Sequence, residues 1–276
     1  MWEPSIIKNE DIELLLTDVA ERYGYDFTQY SKASLKRRLN RLCLIDKFTS
    51  FAELRYRVIS DPEYLQRFVE EITVNVTEMF RDPNFYRALR EDVFPRLGTY
   101  PFIRIWVAGC STGEEAYSIA ILLKEANLYH KSLIYATDIN PGVLERASSG
   151  MFPISQMQQY SENYIQSGGL EDFSKYYAAN YDSVKFNGDL KDKMIFSTHN
   201  LVSDTSFNAF QLILCRNVLI YFDKDLQNSV FDLFDESLDT LGYLALGSKE
   251  TIRFSNLEKK YKQINDERIW RKTRSS

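Results

Sequence analysis

The run "IRIWVAGCSTGEEAYSIAILLKE", Ile103 to Glu125, restricts the fold more than any other part of the chain. Ile103–Ala108 reads as an apolar strand, Gly109 to Gly113 breaks it, and a helical period resumes at Glu114. A strand that feeds a helix through a glycine-bearing loop puts backbone at the carboxyl edge of a sheet, where open α/β folds bind ligands. Gly109 and Gly113 permit a close approach or a positive φ that other residues resist.

The flanking chain extends this pattern. Further strands are predicted at Leu133–Ala136, Met194–Ser197, Gln211–Cys215 and Tyr243–Gly247, with helices at about 114–126, 140–148 and 223–240. Strands alternating with helices imply a mostly parallel sheet with right-handed crossovers. The tail "YKQINDERIWRK" reads as an antiparallel edge hairpin around an Asn-Asp turn. Between about 150 and 193 the rhythm is lost in a polar, aromatic stretch, which is expected to be an inserted subdomain. Upstream, residues 5 to about 80 carry four short amphipathic helical patterns. The third opens at Thr49/Ser50, with Glu53 placed for a capping box, and the fourth has proline in its first turn. The domains expected are therefore 1–80, all helical; 81–101, an interdomain linker punctuated by Gly98 and Pro101; and 102–276, the α/β domain.

Ligand chemistry follows from charge. A phosphate site wants a neutral or basic helix start, because a helix N-terminus attracts anions. Here the helix opens with Glu114 and Glu115, and no Gly-Lys-Ser/Thr follows. The glutamates also suit a helix dipole alone. Asp138, at the end of "LIYATD", sits where an acid commonly takes ribose hydroxyls, although it can equally cap the next helix. Ligands with a ribose, a positive charge and no phosphate are few, and S-adenosylmethionine fits all three conditions.

Taken together, "TVNVTEMFRDPNFY", "VAGCSTGEEAYSIAILL", "IYATDINPGVLERASSGMF", "FSTHNL" and "LILCRNVLIYFDKDLQ" resemble the chemotaxis receptor methyltransferase (CheR-type) family, which methylates receptor glutamates. The resemblance implies a Rossmann-like S-adenosylmethionine-dependent methyltransferase domain after an all-α N-terminal domain. It implies that Asn75, Thr77 and Arg81 contact the cofactor or line its pocket, and that Glu115 and Asp138 bind its polar groups alongside Gly109. Asn200 and Leu201 would lie near the adenine, and Asn217 and Val218 beside the methionine part. Ala116 stands where the family often has proline, and "LALGSKET" replaces a more usual Gly-His-Ser-Glu stretch, which leaves the last strand's loop without an assigned role.

For chemistry, a glutamate acceptor is already ionised at neutral pH and needs no strong base. Arg81 is the residue expected to hold that carboxylate, since guanidinium matches its geometry. Tyr221 is open between a positioning hydroxyl and a core aromatic. His199 reads as packing, and Cys110 and Cys215 as small fillers. In "KASLKRRLNRL", Leu35, Leu39 and Leu42 form one helical stripe, with Arg37 and Arg41 opposite and Arg38 flanking. Composition alone makes this a solvated face; the resemblance makes it a docking surface for the acidic cytoplasmic helices of methyl-accepting chemotaxis receptors. The net charge of -5 weighs against nucleic acid. Three cysteines without metal or disulfide spacing, no bilayer-length apolar run and no signal-like N-terminus fit a protein of the reducing cytoplasm without a metal site. A monomer is expected, and the resemblance implies recruitment to membrane receptor arrays. Two rival readings are a same-fold methyltransferase for a small molecule or RNA, and a binding module that senses the cofactor without turnover.

Overall fold

In a computed structural model, which describes residues 7–73 and 76–273, the chain divides into two units. The first unit spans Met1–Asn75 and Ile220–Ser229, and the second Val76–Leu219 and Val230–Ser276.

The helical unit follows from four apolar stripes. Helix α1 (Asn9–Tyr23) buries Ile12, Leu15, Leu16 and Val19, and α2 (Lys32–Ile45) buries Leu35, Leu39, Leu42 and Cys43. Helix α3 (Phe51–Ser60) contributes Leu54 and Val58, and α4 (Pro62–Thr73) contributes Leu65, Phe68, Val69 and Ile72. Ser50 caps α3 by accepting from the Glu53 N–H at 3.2 Å, while the Glu53 carboxylate accepts from the Thr49 N–H at 2.8 Å. The reciprocal cap thus reaches one residue further back than a capping box. Residues 220–229 join this unit through local pairing. The Ser31 N–H donates to the Tyr221 carbonyl at 2.8 Å, and the Tyr30 and Phe222 rings lie 4.9 Å apart.

The second unit is built on a seven-stranded sheet. Its strands are β1 (Ile103–Ala108), β2 (Ser132–Asp138), β6 (Met194–Thr198), β7 (Phe210–Cys215), β8 (Leu238–Leu246), β9 (Tyr261–Gln263) and β10 (Ile269–Lys272), in the order β6-β2-β1-β7-β8-β10-β9. The first five run parallel and the β9–β10 hairpin is antiparallel, a Rossmann-like arrangement. Helices α7 (Glu114–Glu125), α8 (Pro141–Ser149) and α10 (Lys224–Ser237) are the crossovers. Helix α10 stops at Ser237, short of the 240 expected, because β8 already pairs at Leu238 across a bulge that ends near Leu241, whose φ is +69°. Alternation on β1 splits the interior. Ile103, Ile105 and Val107 face the main core, whereas Trp106 packs on Phe210 and Phe234.

The segment expected to be a linker is not one. Residues 81–101 form α5 (Pro83–Ala88), a π-helical turn (Leu89–Val93) and α6 (Phe94–Leu97), and bury Phe85, Tyr86, Leu89, Val93, Phe94 and Leu97 in the main core. Those positions recur at helical spacing, and that period outweighs the Gly and Pro punctuation. Within 150–193, β3 (Met151–Pro153), β5 (Ser183–Phe186) and β4 (Tyr177–Asn180) make a small antiparallel sheet in the order β3-β5-β4, accompanied by α9 (Met157–Gln166).

Phe80 ties these parts together. It is fully buried, and its ring meets Tyr86, Tyr164 and Phe173 at 5.3, 5.2 and 5.9 Å. Truncation there should leave a cavity that several elements cannot all collapse into. Phe80→Ala should cost about 3–5 kcal/mol in urea unfolding; a loss below about 1 kcal/mol would show that the aromatic cluster packs without it.

Candidate active site

The chain leaves β1 for β2 on one side and returns to place β7 on the other, so the sheet's switch point lies between β1 and β7. Open α/β folds bind ligands at such a point, beyond the carboxyl ends of the strands. Gly109 follows β1 with φ +74°, and a methyl group added there would stand 2.4 Å from Val218 Cγ2 in the loop after β7. Glycine is required by both backbone and space. Its N–H and that of Cys110 donate to the Thr137 carbonyl at 2.8 and 2.9 Å, which folds the loop across the end of β2.

Two carboxylates hold this edge by accepting backbone N–H groups. Asp138 accepts from Ser111 at 2.9 Å through Oδ2 and from Asn140 at 3.0 Å through Oδ1. Burial pushes its carboxyl above the usual range, and the backbone N–H donors act against that rise. Glu250 does the same on the other side, where its Oε2 accepts from Asn217 at 2.9 Å and Gly247 at 2.7 Å. Asn217 takes a left-handed φ of +62°, so Glu250 fixes a turn that Asn tolerates better than most residues. This assigns a task to the loop after the last parallel strand, which the sequence left open.

The paired glutamates separate in structure. Glu114 is buried, accepts from Thr112 Oγ1 at 2.7 Å and from the Tyr160 hydroxyl at 3.3 Å, and has its carboxyl raised by burial. Glu115 accepts from Arg216 Nη1 at 2.8 Å. Arg216 is also paired with Asp82 at 2.7 Å, donates to the Arg81 carbonyl at 3.1 Å, and stacks its guanidinium 4.0 Å from the Phe85 ring centre. Burial alone would lower the Arg216 pKa; Glu115, Tyr86 and Asp82 outweigh it and hold the group charged. Neither Arg216 nor Glu250 was singled out from the sequence. The signals were an arginine inside an apolar run and a glutamate three residues after Gly247.

Other expected residues fall as follows. Asn200 and Leu201 follow β6, and Asn200 Oδ1 accepts from the Val202 N–H at 3.0 Å. Arg81 is half-buried, and its Nη1 donates to the Val76 carbonyl at 3.5 Å. Thr77 is half-buried near the start of this unit, and Asn75 lies outside the described residues. Tyr221, Arg37, Arg38 and Arg41 all belong to the helical unit. There the Arg38 guanidinium lies 5.4 Å from the Tyr221 ring centre and donates to the Glu71 carbonyl at 3.0 Å. Arg41 pairs with Glu71 at 2.5 Å, whereas Arg37 is exposed and makes no ion pair among the described residues.

A cofactor with hydroxyls, a cationic centre and no phosphate fits this edge. Ser111 Oγ, Asn140 Nδ2 and Arg216 Nε are buried there without partners among the described residues, and each can serve a polar ligand. The acids Glu115 and Asp138 favour a cation and retain lone pairs for hydroxyls. Thiol and imidazole nucleophiles are disarmed. Burial raises the Cys110 and Cys215 thiols, and lowers His199, which packs 5.1 Å from both Trp106 and Phe207.

Comparison with known proteins agrees. Residues 75–269 match the family model described as CheR methyltransferase, SAM binding domain, and residues 10–73 match CheR methyltransferase, all-alpha domain. The putative methyltransferase Cher3 of Pseudomonas putida is 46% identical over 96% of this chain and 98% of its own length. The chemotaxis protein methyltransferase of Listeria innocua is 33% identical over 87% of this chain and 89% of its own. That of Salmonella typhimurium is 34% identical over 82% and 76%.

Asp138→Ala should weaken S-adenosylmethionine binding about tenfold or more in calorimetry, since each hydrogen bond to a charged acceptor contributes about 1.5–3 kcal/mol; unchanged affinity would remove Asp138 from the site. Its raised carboxyl also sets a pH dependence. Affinity should fall as pH drops through a window above the ordinary value of ~3.9, because protonation removes the acceptor. The Asp138→Asn protein should show a flatter profile there. Glu250→Ala should weaken the same binding without Glu250 touching the ligand, and Glu250→Gln, which keeps one acceptor oxygen, should recover part of the loss.

Proposed function

This chain belongs to the CheR methyltransferase family, and on that premise we propose that it transfers the methyl group of S-adenosylmethionine to glutamate carboxylates of methyl-accepting chemotaxis receptors. S-adenosylmethionine is its cofactor, and methylation in chemotaxis is the activity its relatives are named for. The observation that supports the glutamate assignment is that the thiols and the imidazole described at the sheet edge are not activated: burial keeps Cys110 and Cys215 as thiols, and His199 is buried in aromatic packing. Such a site suits an acceptor that arrives ionised, as a carboxylate does at neutral pH.

In this reading S-adenosylmethionine, when bound, would supply an electrophilic sulfonium methyl: its C–S bond would break as a carboxylate oxygen of the acceptor forms the O–C bond with its own electron pair, S-adenosylhomocysteine would be the product, and no proton need move. The protein's part is orientation, which can contribute roughly 7–11 kcal/mol. Asp138, Glu115 and Asn200-Leu201 would hold the nucleoside, while Gly109, Thr77 and Asn217-Val218 would shape the pocket around the methionine part. The family resemblance assigns Asn75 a cofactor contact as well. Arg81 grips the incoming carboxylate, and the Tyr221 hydroxyl helps to position it. Arg216 serves as an internal counter-ion that leaves Arg81 available, since Glu115 and Asp82 already neutralise it.

Receptor docking is assigned to α2. Arg37 is its exposed cation, and Arg38 and Arg41, held by Glu71 and the Tyr221 ring, border it. No helix among the described residues is long and apolar enough to cross a membrane. The proposed contact with receptor arrays is through this surface of α2, by a cytoplasmic monomer.

Incubation with labelled cofactor and a receptor cytoplasmic fragment should put label on protein that is released as methanol by mild alkali, as carboxyl methyl esters are. Base-stable label, or transfer to small acceptors instead, would overturn the assignment. Arg81→Ala should lower turnover at least about tenfold, the scale of a lost charged hydrogen bond, and Arg81→Lys should restore little because an ammonium lacks the forked geometry. Reversing Arg37 and Arg41 to Glu should lower receptor methylation most at low salt, where the Debye length is ~30 Å at 0.01 M against ~8 Å at 0.15 M. Wild-type and variant rates that run parallel across salt would end the docking role.

A further inference from the structure

A second cavity lies in the α/β unit, away from the carboxyl edge of the parallel strands. It forms where the β9–β10 hairpin meets the π-helical turn and α6, and its volume is about 390 Å³. Small-molecule sites commonly span ~300–1,000 Å³.

Its walls are cationic in a chain whose net charge is -5. Arg96 comes from α6, Lys262 from β9 and Arg271 from β10. None of these three makes an ion pair among the described residues. Lys272, also on the wall, is already matched by Asp235 at 3.1 Å. One carboxylate, Asp92, lines the cavity, and its Oδ2 accepts from Asn265 Nδ2 at 2.8 Å.

The strand register adds an independent observation. Arg271 is the cross-strand partner of Lys262 in the antiparallel hairpin. Residues so paired share one face of the sheet with Cβ atoms about 4.5–5.5 Å apart, and like charges there destabilise the pair. Arg271 is anchored in place, since its Nε donates to the Leu241 carbonyl at 3.2 Å and its guanidinium lies 5.6 Å from the Tyr243 ring centre. The hairpin thus holds two cations opposite one another, and α6 adds a third.

We propose that this cavity binds a nucleotide carrying a diphosphate. Guanidinium and ammonium groups from three elements match the two charged phosphates. Leu241 and Ile264 supply an apolar wall for the base. The cofactor site selects in the opposite sense, with two acids at its helix start, so the two sites sort two nucleoside ligands by charge.

The test is calorimetry on the full chain saturated with S-adenosylhomocysteine, titrated with ADP, adenosine and inorganic pyrophosphate. ADP should bind, adenosine should not, and pyrophosphate should bind more weakly than ADP. Lys262→Gln and Arg96→Gln should each weaken ADP by about tenfold, the scale of a lost charge-assisted contact, and leave S-adenosylhomocysteine affinity as in the wild type. Absence of ADP binding at millimolar concentration, displacement of ADP by S-adenosylhomocysteine, indifference to both substitutions, or pyrophosphate matching ADP would each overturn the proposal. A melting experiment checks the register argument. Without nucleotide, Lys262→Gln should melt at or above the wild type, and with ADP the order should reverse. A variant that melts lower in both conditions would refute it.

Discussion

Arg216 is a charge taken almost wholly out of water at the end of a buried strand, and much of the site is arranged around keeping it there. Removing one partner from such a pair generally costs about 3–5 kcal/mol, because the other charge is left buried and uncompensated. The compensation comes from Glu115 at the start of α7 and from Asp82 just before α5, with the Phe85 and Tyr86 rings as lateral walls. One guanidinium therefore fixes the ends of β7, α7 and α5 relative to each other. The segment that carries Arg81 is held by the same group through its own carbonyl. Asp138 and Glu250 complete the frame, each clamping two backbone N–H groups on loops that would otherwise end in unsatisfied donors.

Much of this was legible in the sequence, for physical reasons that differ by residue. The strand, glycine loop and helix from Ile103 to Glu125 could be read because alternation, punctuation and helical period change within one short run. The charge character of the ligand could be read because two acids at a helix start disfavour phosphate. What could not be read was which glutamate does which task. Glu114 and Glu115 are adjacent and chemically identical, and only the fold turns one toward Tyr160 and the other toward Arg216. Glu250 was hidden for a related reason, as its partners are the backbone of Asn217 and Gly247, and backbone groups leave no mark on composition. The supposed linker failed differently. Gly98 and Pro101 are real breaks, but they follow the amphipathic run from Phe85 to Leu97, so the punctuation marks its end and not a flexible join.

The basic helix shows how a sequence pattern can overstate a surface. On a helical wheel Arg37 and Arg41 share the outer face and Arg38 flanks them. Arg41 is tied to Glu71, and Arg38 divides itself between the Glu71 carbonyl and the face of Tyr221. Their loss would disturb packing within the helical unit as well as any outward contact, since an arginine covers apolar surface with its stem. Arg37 is the cleaner probe of attraction, and a measured effect from it carries less structural ambiguity than one from its neighbours.

Residues 220–229 belong with the helices that begin the chain, although the larger part of the α/β unit, Val76–Leu219, lies between them in sequence. During synthesis, the first four helices emerge long before the segment against which Tyr30 and Ser31 pair. The helical unit therefore waits, unfinished, until most of the sheet has left the ribosome. The same arrangement means that a single crossover cannot exchange this unit between homologues. A graft that brings the helices without the Tyr221–Phe222 turn carries an open seam, and a functional chimera needs two matched junctions.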